Sequence, residues 1–315
     1  MKKALVIGAS GFVGEHMLEY LRSTHDHDVH ATKGKGEGMT AGGGVEVSDL
    51  DPLDASAVTA LLRKVRPDRI FHLASESSVV GSWTDPAQSY DANVKGAIHL
   101  LEGVRAMSYP PRLLLVGSGE EYGRVGAEEG PVGEEHAVRP ANPYAATKAC
   151  QNAMGRIYAE AYRMDVLMTR TFNYFGPGQA TVFAVSDLCR QVAEVEKGLH
   201  APVLRVGNLD VRRDFTDVRD VVRAYAMLME SGRSGETYNV GGGHAIAMKE
   251  ILDVILTQTT SRIRFEVDQK RLRPVDMPLI EADVRKLVAT TGWKPRIPLE
   301  QTVRDMLDDW RRRLG

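Results

Sequence analysis

A short apolar run, Ala4-Leu5-Val6-Ile7, passes directly into Gly8-Ala9-Ser10-Gly11-Phe12-Val13-Gly14, and an amphipathic pattern opens at the last of these glycines. Few folds accept a buried strand, a glycine turn and a helix in immediate succession. The glycines allow the tight turn and a close approach of ligand to backbone, and the first helical amides meet that ligand with the positive end of the helix dipole. A pyrophosphate suits such a turn, so the chain is expected to hold a dinucleotide there. A plain strand-to-helix turn would carry the same glycines, and the rest of the sequence has to decide between the two.

Downstream, apolar runs alternate with helical patterns. Residues 4–7, 28–32, 69–74, 112–117 and 166–171 read as strands, and 14–23, 55–65, 92–107 and 144–162 as helices. Strands separated by helix-length crossovers imply a parallel sheet. The expected fold class is α/β: a Rossmann-type doubly wound parallel sheet with a smaller C-terminal α/β substrate lobe. At 315 residues the chain exceeds what one core usually supports. Residues 1–172 are expected to form mainly the dinucleotide-binding domain and 173–315 mainly the substrate lobe, with segments around 208–245 crossing back. In the second half, 182–197 and 218–229 read as helices and 203–206 as a strand. The glycine-rich stretch 33–44 reads as a surface loop near the adenosine end of the dinucleotide.

A formal net charge of -2 argues against a nucleic-acid or membrane surface. No apolar stretch approaches the ~20 residues needed to span a bilayer, and glycines interrupt the N-terminal apolar run, so a cytoplasmic protein is expected. Cys150 and Cys189 fall in helical patterns and read as packing thiols. No metal-binding set of residues is expected.

The chemistry lies in Tyr144-Ala145-Ala146-Thr147-Lys148, which places a phenol and an ammonium one helical turn apart on one face. A nearby cation favours tyrosinate, so Lys148 is expected to lower the Tyr144 pKa and suit the phenol to proton transfer. Ser118, at the end of the strand at 112–117, offers a hydroxyl to the same carbonyl oxygen. A Tyr–Lys pair alone is usually structural. Its place after a glycine turn and a serine-bearing strand end makes it a catalytic candidate.

With its GxxGxxG spacing and this Ser–Tyr–Lys set, the sequence resembles the extended short-chain dehydrogenase/reductase family, in its nucleotide-sugar branch. The resemblance covers essentially the whole chain. It implies cofactor contacts from Gly8, Ser10, Gly11, Phe12, Val13 and Gly14, from Asp49 and Leu50, from Leu73, Ala74 and Ser75, and from Asn93 and Phe172. It also implies that Tyr144 protonates the ketone oxygen while Lys148 holds the cofactor ribose. No acid follows the second strand where NAD-binding chains usually carry one. Thr32 and Lys33 there favour a 2′-phosphate, so NADP(H) is expected and NAD(H) remains possible, although Lys33 also reads as a solvated loop lysine.

The stretch Gly117-Ser118-Gly119-Glu120-Glu121-Tyr122-Gly123 resembles the segment that carries a catalytic glutamate in sugar 4,6-dehydratases, and Glu120 takes that glutamate's place. Two readings stand for Glu120, a catalytic base and an ordinary turn glutamate. Residues 170–179 resemble the nucleotide-sugar branch's motif after the core sheet. Residues 207–225, 237–243, 271–278 and 290–302 resemble most the GDP-6-deoxy-D-mannose reductases, with Arg213–Asp220 lacking the tryptophan and Gly-His pair that the GDP-mannose 4,6-dehydratases usually carry after Arg-Asp. By that resemblance the substrate is a GDP-sugar, met by Ser77, Asn173, Val182, Phe183, Arg190, Arg213, Arg273 and Asp276. The reaction would be reduction of a C4 ketone in GDP-4-dehydro-6-deoxy-D-mannose. A loop hydroxyl explains Ser77 equally well, and a core helix explains Phe183. A dehydratase or epimerase would use the same parts, and a non-enzymatic nucleotide sensor is the remaining alternative. Helices at 92–107 and 145–162 would form a homodimer contact, although their apolar faces also suit a core.

Overall fold

The computed structural model describes residues 1–39, 44–126, 129–271 and 279–315. In its first half, β1 (Lys2–Ile7), α1 (Phe12–Thr24), β2 (His27–Lys33), β3 (Glu46–Asp49), α2 (Ala55–Val65) and β4 (Arg69–His72) follow one another. Then come α3 (Val79–Thr84), α4 (Pro86–Tyr90), a π turn at Asp91–Lys95, α5 (Gly96–Arg105), β5 (Arg112–Ser118), a 3-10 turn at Gly119–Tyr122, α6 (Pro143–Tyr162) and β6 (Val166–Thr171). The segment expected as one helix at 92–107 is thus a π turn running into α5.

The second half holds β7 (Asn173–Phe175), α7 (Ala184–Glu196), β8 (Val203–Val206), β9 (Arg212–Asp217), α8 (Val218–Ser231), β10 (Thr237–Val240) and β11 (Ala245–Ala247). It closes with α9 (Met248–Thr257), β12 (Arg264–Val267), β13 (Leu279–Ile280), α10 (Arg285–Thr291) and α11 (Leu299–Arg313).

Seven strands form one parallel sheet in the order β10-β6-β5-β4-β1-β2-β3. The strand order reverses between β1 and β4, and the crevice beyond their carboxyl ends is where such sheets bind ligand. Alternation along each strand divides its side chains between two cores. Ala4, Val6, Phe71, Leu114 and Leu167 face α1 and α8. Leu5, Ile7, Ile70, Leu113, Leu115 and Met168 face α2, α5 and α6. A third core joins α7, α9 and α11 in the second lobe.

Local sequence explains the helix boundaries. Asp54 caps α2 by accepting from the Ser56 and Ala57 amides, and Val58, Leu61, Leu62 and Val65 recur at helical spacing on its buried side. Asn142 caps α6 through the Ala145 amide at 2.8 Å, with Pro143 in its first turn. The π turn before α5 buries Asn93 and Val94.

Candidate active site

Gly8 leaves β1 with φ at 85°, and a Cβ there would meet the Ala74 nitrogen at 2.5 Å. Only glycine fits both conditions. The turn is held from below, where the Gly8 amide donates to Thr32 Oγ1 at 3.2 Å and the Ala9 amide to the Thr32 carbonyl at 2.8 Å. A Cβ on Gly11 would meet only the Gly8 carbonyl, at 3.4 Å, so space lies open above the turn. Gly11 is also the N-cap of α1, where no side chain competes for the first amides. These features fit the pyrophosphate of a dinucleotide.

Phe12 stacks on Tyr174 and meets His16 edge-on beside the turn, and Gly14 is buried against Gly8 and Ala9. Val13 packs on the core between sheet and α8. The Ser10 hydroxyl donates to the Glu37 carboxylate.

At the adenosine end, the placement of two sequence candidates differs from the expectation. Thr32 is 2% exposed, and its hydroxyl serves the Gly8 amide inside the fold rather than a cofactor phosphate. Lys33 pairs with Asp49 at 2.7 Å, because adjacent β2 and β3 place those positions in register. Leu50 is buried, and its amide donates to the Lys33 carbonyl. The loop expected at 33–44 lies partly outside the described residues.

The segment after β4 folds over Gly8, with the Leu73 and Ala74 amides both donating to the Ile7 carbonyl. Asn93 clamps it from behind: its Oδ1 accepts from the Glu76 amide at 2.8 Å, and its Nδ2 donates to the Glu76 carbonyl and to Thr147 Oγ1. Ser75 lies within this segment. Ser77 is exposed immediately before Ser78, which caps α3.

Ser118, Glu120, Tyr144 and Lys148 converge beyond the carboxyl ends of β4 and β5. The Ser118 hydroxyl hydrogen-bonds the Tyr144 phenol and accepts from the Glu120 amide at 3.2 Å. Ser82 accepts from the Tyr144 amide at 3.1 Å, which ties α3 to the start of α6. The Glu120 carboxylate accepts from Asn142 Nδ2 at 3.0 Å. Lys148 Nζ donates to the Val116 carbonyl at 2.8 Å and to Gln151 Oε1 at 3.3 Å.

The electrostatics reverse one expectation. Tyr144 keeps part of its ring surface, yet burial lifts its phenol well above the ordinary tyrosine pKa, and Tyr174, Glu120 and Glu121 add to the rise. Lys148 does not offset this; burial lowers its own pKa to about 8. Burial also pushes the neighbouring Tyr174 up to about 12. Tyr144 therefore holds its proton at neutral pH, as a proton donor must.

The substrate-side candidates are dispersed along the second lobe. Asn173 is exposed on β7, while Phe172 is buried against Gly119 and Tyr122. Val182 and Phe183 are exposed just before α7, with Phe183 as its N-cap, so the helix expected at 182–197 begins two residues later. Arg190 pairs with Asp187 at 2.6 Å and Glu194 at 2.5 Å. Arg213 lies on β9 and donates to the Arg212 carbonyl. Arg273 and Asp276 lie outside the described residues.

Asn142 and Ser82 join the site without a catalytic signature in the sequence. An Asn-Pro pair ahead of a helical pattern announces the former as a cap, but nothing local announces the latter. Among the described residues, no group of three His, Cys, Asp or Glu side chains could hold a metal, and no helix is long and apolar enough to cross a membrane.

The family model described as GDP-mannose 4,6 dehydratase matches residues 5–306. The chain is 32% identical over 314 residues to GDP-6-deoxy-D-mannose reductase of Pseudomonas aeruginosa, covering 99% of this chain and 98% of that one. Its fold matches RMD from Pseudomonas aeruginosa complexed with NADPH at a TM-score of 0.89, with 30% identity and coverage of 99% and 100% of the two chains. UDP-glucose 4-epimerase of Thermus thermophilus, in complex with NAD, matches at 0.86, with 27% identity and coverage of 98% and 99%. This chain, with its glycine turn and its Ser118, Tyr144 and Lys148 gathered at the end of a parallel sheet, belongs to the GDP-mannose 4,6 dehydratase family of extended short-chain dehydrogenases/reductases.

Proposed function

We propose that the protein reduces the C4 ketone of GDP-4-dehydro-6-deoxy-D-mannose to give GDP-6-deoxy-D-mannose (GDP-D-rhamnose), with NADPH as preferred reductant and NADH as a possible one. The observation that carries this reading is the Tyr144 phenol hydrogen-bonded to Ser118 beyond the carboxyl end of β5, in surroundings that raise its pKa. The substrate follows from the 32% identity to a GDP-6-deoxy-D-mannose reductase.

When bound, the nicotinamide supplies hydride to the ketone carbon. Tyr144 donates its proton to the ketone oxygen, and Ser118 donates a hydrogen bond to the same oxygen, lowering the cost of negative charge there. Lys148 then favours the resulting tyrosinate and orients the cofactor ribose. Residues 8–13, with Asp49, Leu73, Ala74 and Ser75, would face the cofactor, the buried Gly14, Leu50, Asn93 and Phe172 would support that surface from behind, and Lys33 would exchange Asp49 for the 2′-phosphate. Asn173, Val182, Phe183, Arg190, Arg213, Arg273, Asp276 and Ser77 are assigned to the GDP-sugar. In this reading residues 1–172 are mainly the cofactor domain and 173–315 mainly the substrate lobe, and the enzyme works as a cytoplasmic homodimer.

A dehydratase is the second reading, favoured by the Glu120 carboxylate beside Tyr144. Absorbance at 340 nm separates the two. Stoichiometric NADPH oxidation with the ketosugar, and no reaction of GDP-mannose alone, is expected of the reductase. Ketosugar formed from GDP-mannose without net NADPH use would make it a dehydratase. Glu120→Gln should leave turnover nearly intact in a reductase and abolish it in a dehydratase.

A further inference from the structure

Glu121, one residue beyond the dehydratase-type position, has no part in the chemistry above, yet it is 0% exposed. Its Oε1 accepts from the Ser118 amide at 2.9 Å and from Asn152 Nδ2 at 2.8 Å. Its Oε2 accepts from Arg170 Nε at 3.1 Å. Arg170 continues outward to the Tyr122 hydroxyl at 3.0 Å and the Glu134 carbonyl at 3.2 Å, and its guanidinium lies over the Tyr122 ring. One carboxylate therefore joins the end of β5, the helix α6 one turn beyond Lys148, and β6. Gly117 makes room for it: a Cβ there would collide with Asn152, with Glu121 itself and with the Thr169 carbonyl.

We propose that Glu121 is a positioning residue, whose buried carboxylate fixes the Ser118 turn against the Tyr144–Lys148 helix and supplies the negative charge that faces Lys148. The proposal rests on the reading of Ser118, Tyr144 and Lys148 as the catalytic set.

A merely structural tie would not need a charge, since a buried ion pair is costly to desolvate and apolar packing often replaces it without loss. The surroundings of Lys148 show what the charge does. From β4 it is faced by His72, which burial holds neutral with a pKa of about 3. On α6 itself it has Gln151, and the Tyr144 phenol is protonated. From the turn after β5 it is faced by Glu121, the one charged group that raises its pKa among the described residues. Glu121 has its own pKa raised by burial, and Arg170, the Ser118 amide and Asn152 act against that rise. All three partners of the Glu121 carboxyl, the Ser118 amide, Asn152 Nδ2 and the Arg170 guanidinium, donate to it, which is the contact set of a carboxylate, and that carboxylate favours the Lys148 ammonium.

The direct test is the titration of Lys148 in the full-length protein labelled with 13C at lysine Cε, followed by NMR for wild type and Glu121→Gln, with the Lys148 signal assigned by its loss in Lys148→Met. Removing the negative charge should lower the Lys148 midpoint by about one unit. The alkaline limb of turnover with NADPH should move down with it, while at about pH 6, where Lys148 is charged in both proteins, KM for the cofactor stays unchanged. The double variant E121Q/N152D, which returns a carboxylate from the helix side, should restore the wild-type midpoint. It carries the same test if the single variant does not fold. An unmoved midpoint in E121Q, or a midpoint one unit low in the folded double variant, overturns the proposal. A lowered midpoint in E121Q, in a protein whose wild type leaves the ketosugar untouched, supports the role of Glu121 and sinks the substrate assignment instead.

Discussion

Tyr144 and Lys148 sit one helical turn apart, and burial moves their proton affinities in opposite directions. With its phenol protonated, Tyr144 is spent as a donor at each turnover. Tyr144→Phe should therefore cut kcat by about 10²–10⁴-fold, the usual worth of a positioned proton donor, while NADPH binding measured by protein fluorescence is retained. Near-wild-type turnover in that variant would remove Tyr144 from the mechanism. Lys148 leads to a stability prediction. Its folded pKa of about 8 lies below the ordinary 10.5, so the folded state binds fewer protons than the unfolded chain between those values. Keeping the ammonium buried costs stability in full below pH 8, and that cost fades as pH rises from about 8 to 10.5. Lys148→Met should thus abolish turnover yet raise stability at pH 7 by on the order of 2–3 kcal/mol. The gain should vanish near pH 10.5. Urea midpoints at the two pH values check it, and an equal gain at both would mean that the charge is not what costs stability.

At the scale of elements, α6 carries the catalytic pair at its start and packs on the sheet at its middle. Gly155 lets it lie close: a Cβ there would meet Leu115 Cδ1 at 2.7 Å and the Met168 sulfur at 3.0 Å. Both opposing atoms end flexible side chains, so Gly155→Ala should be nearly neutral, its clash offset by better helix propensity. Gly155→Val has no such escape and should cost about 2–3 kcal/mol. A loss of similar size in Ala and Val, measured by urea unfolding, would mean that the backbone itself cannot give. The same helix marks what local sequence reveals. Asn142-Pro143 announces its start, and the Tyr144–Lys148 spacing announces its chemical face. The strands β1, β5 and β6 are equally legible as apolar runs, and the glycine turn as a dinucleotide seat. Contacts between distant segments leave no local trace. Thr32 reads as a cofactor residue but its hydroxyl is taken by Gly8, and Lys33 reads as free but β3 brings Asp49 beside it. Tyr144 reads as acidified by Lys148, until the burial that only the assembled crevice supplies reverses the sign.

For the whole molecule, the outer side of α6 remains to be accounted for. Ala146, Cys150, Ala153 and Ile157 follow at steps of four, three and four, so they share one face. All four keep accessible surface, and Ile157 is 50% exposed. Such a small apolar stripe suits a second copy of the chain, as the homodimer reading requires. A two-fold contact is isologous, so one substitution enters it twice. Ile157→Glu would bring a carboxylate from each copy onto the desolvated contact, which the contact cannot absorb. Light scattering at micromolar concentration should give twice the 34.6 kDa chain mass for the wild type and the single chain mass for the variant. Because Ile157 lies more than two turns beyond Lys148 on α6 and faces outward, the Ile157→Glu monomer should keep its fold and its turnover. A wild type that runs at the single chain mass would leave this face of α6 to solvent and remove the homodimer from the proposed function.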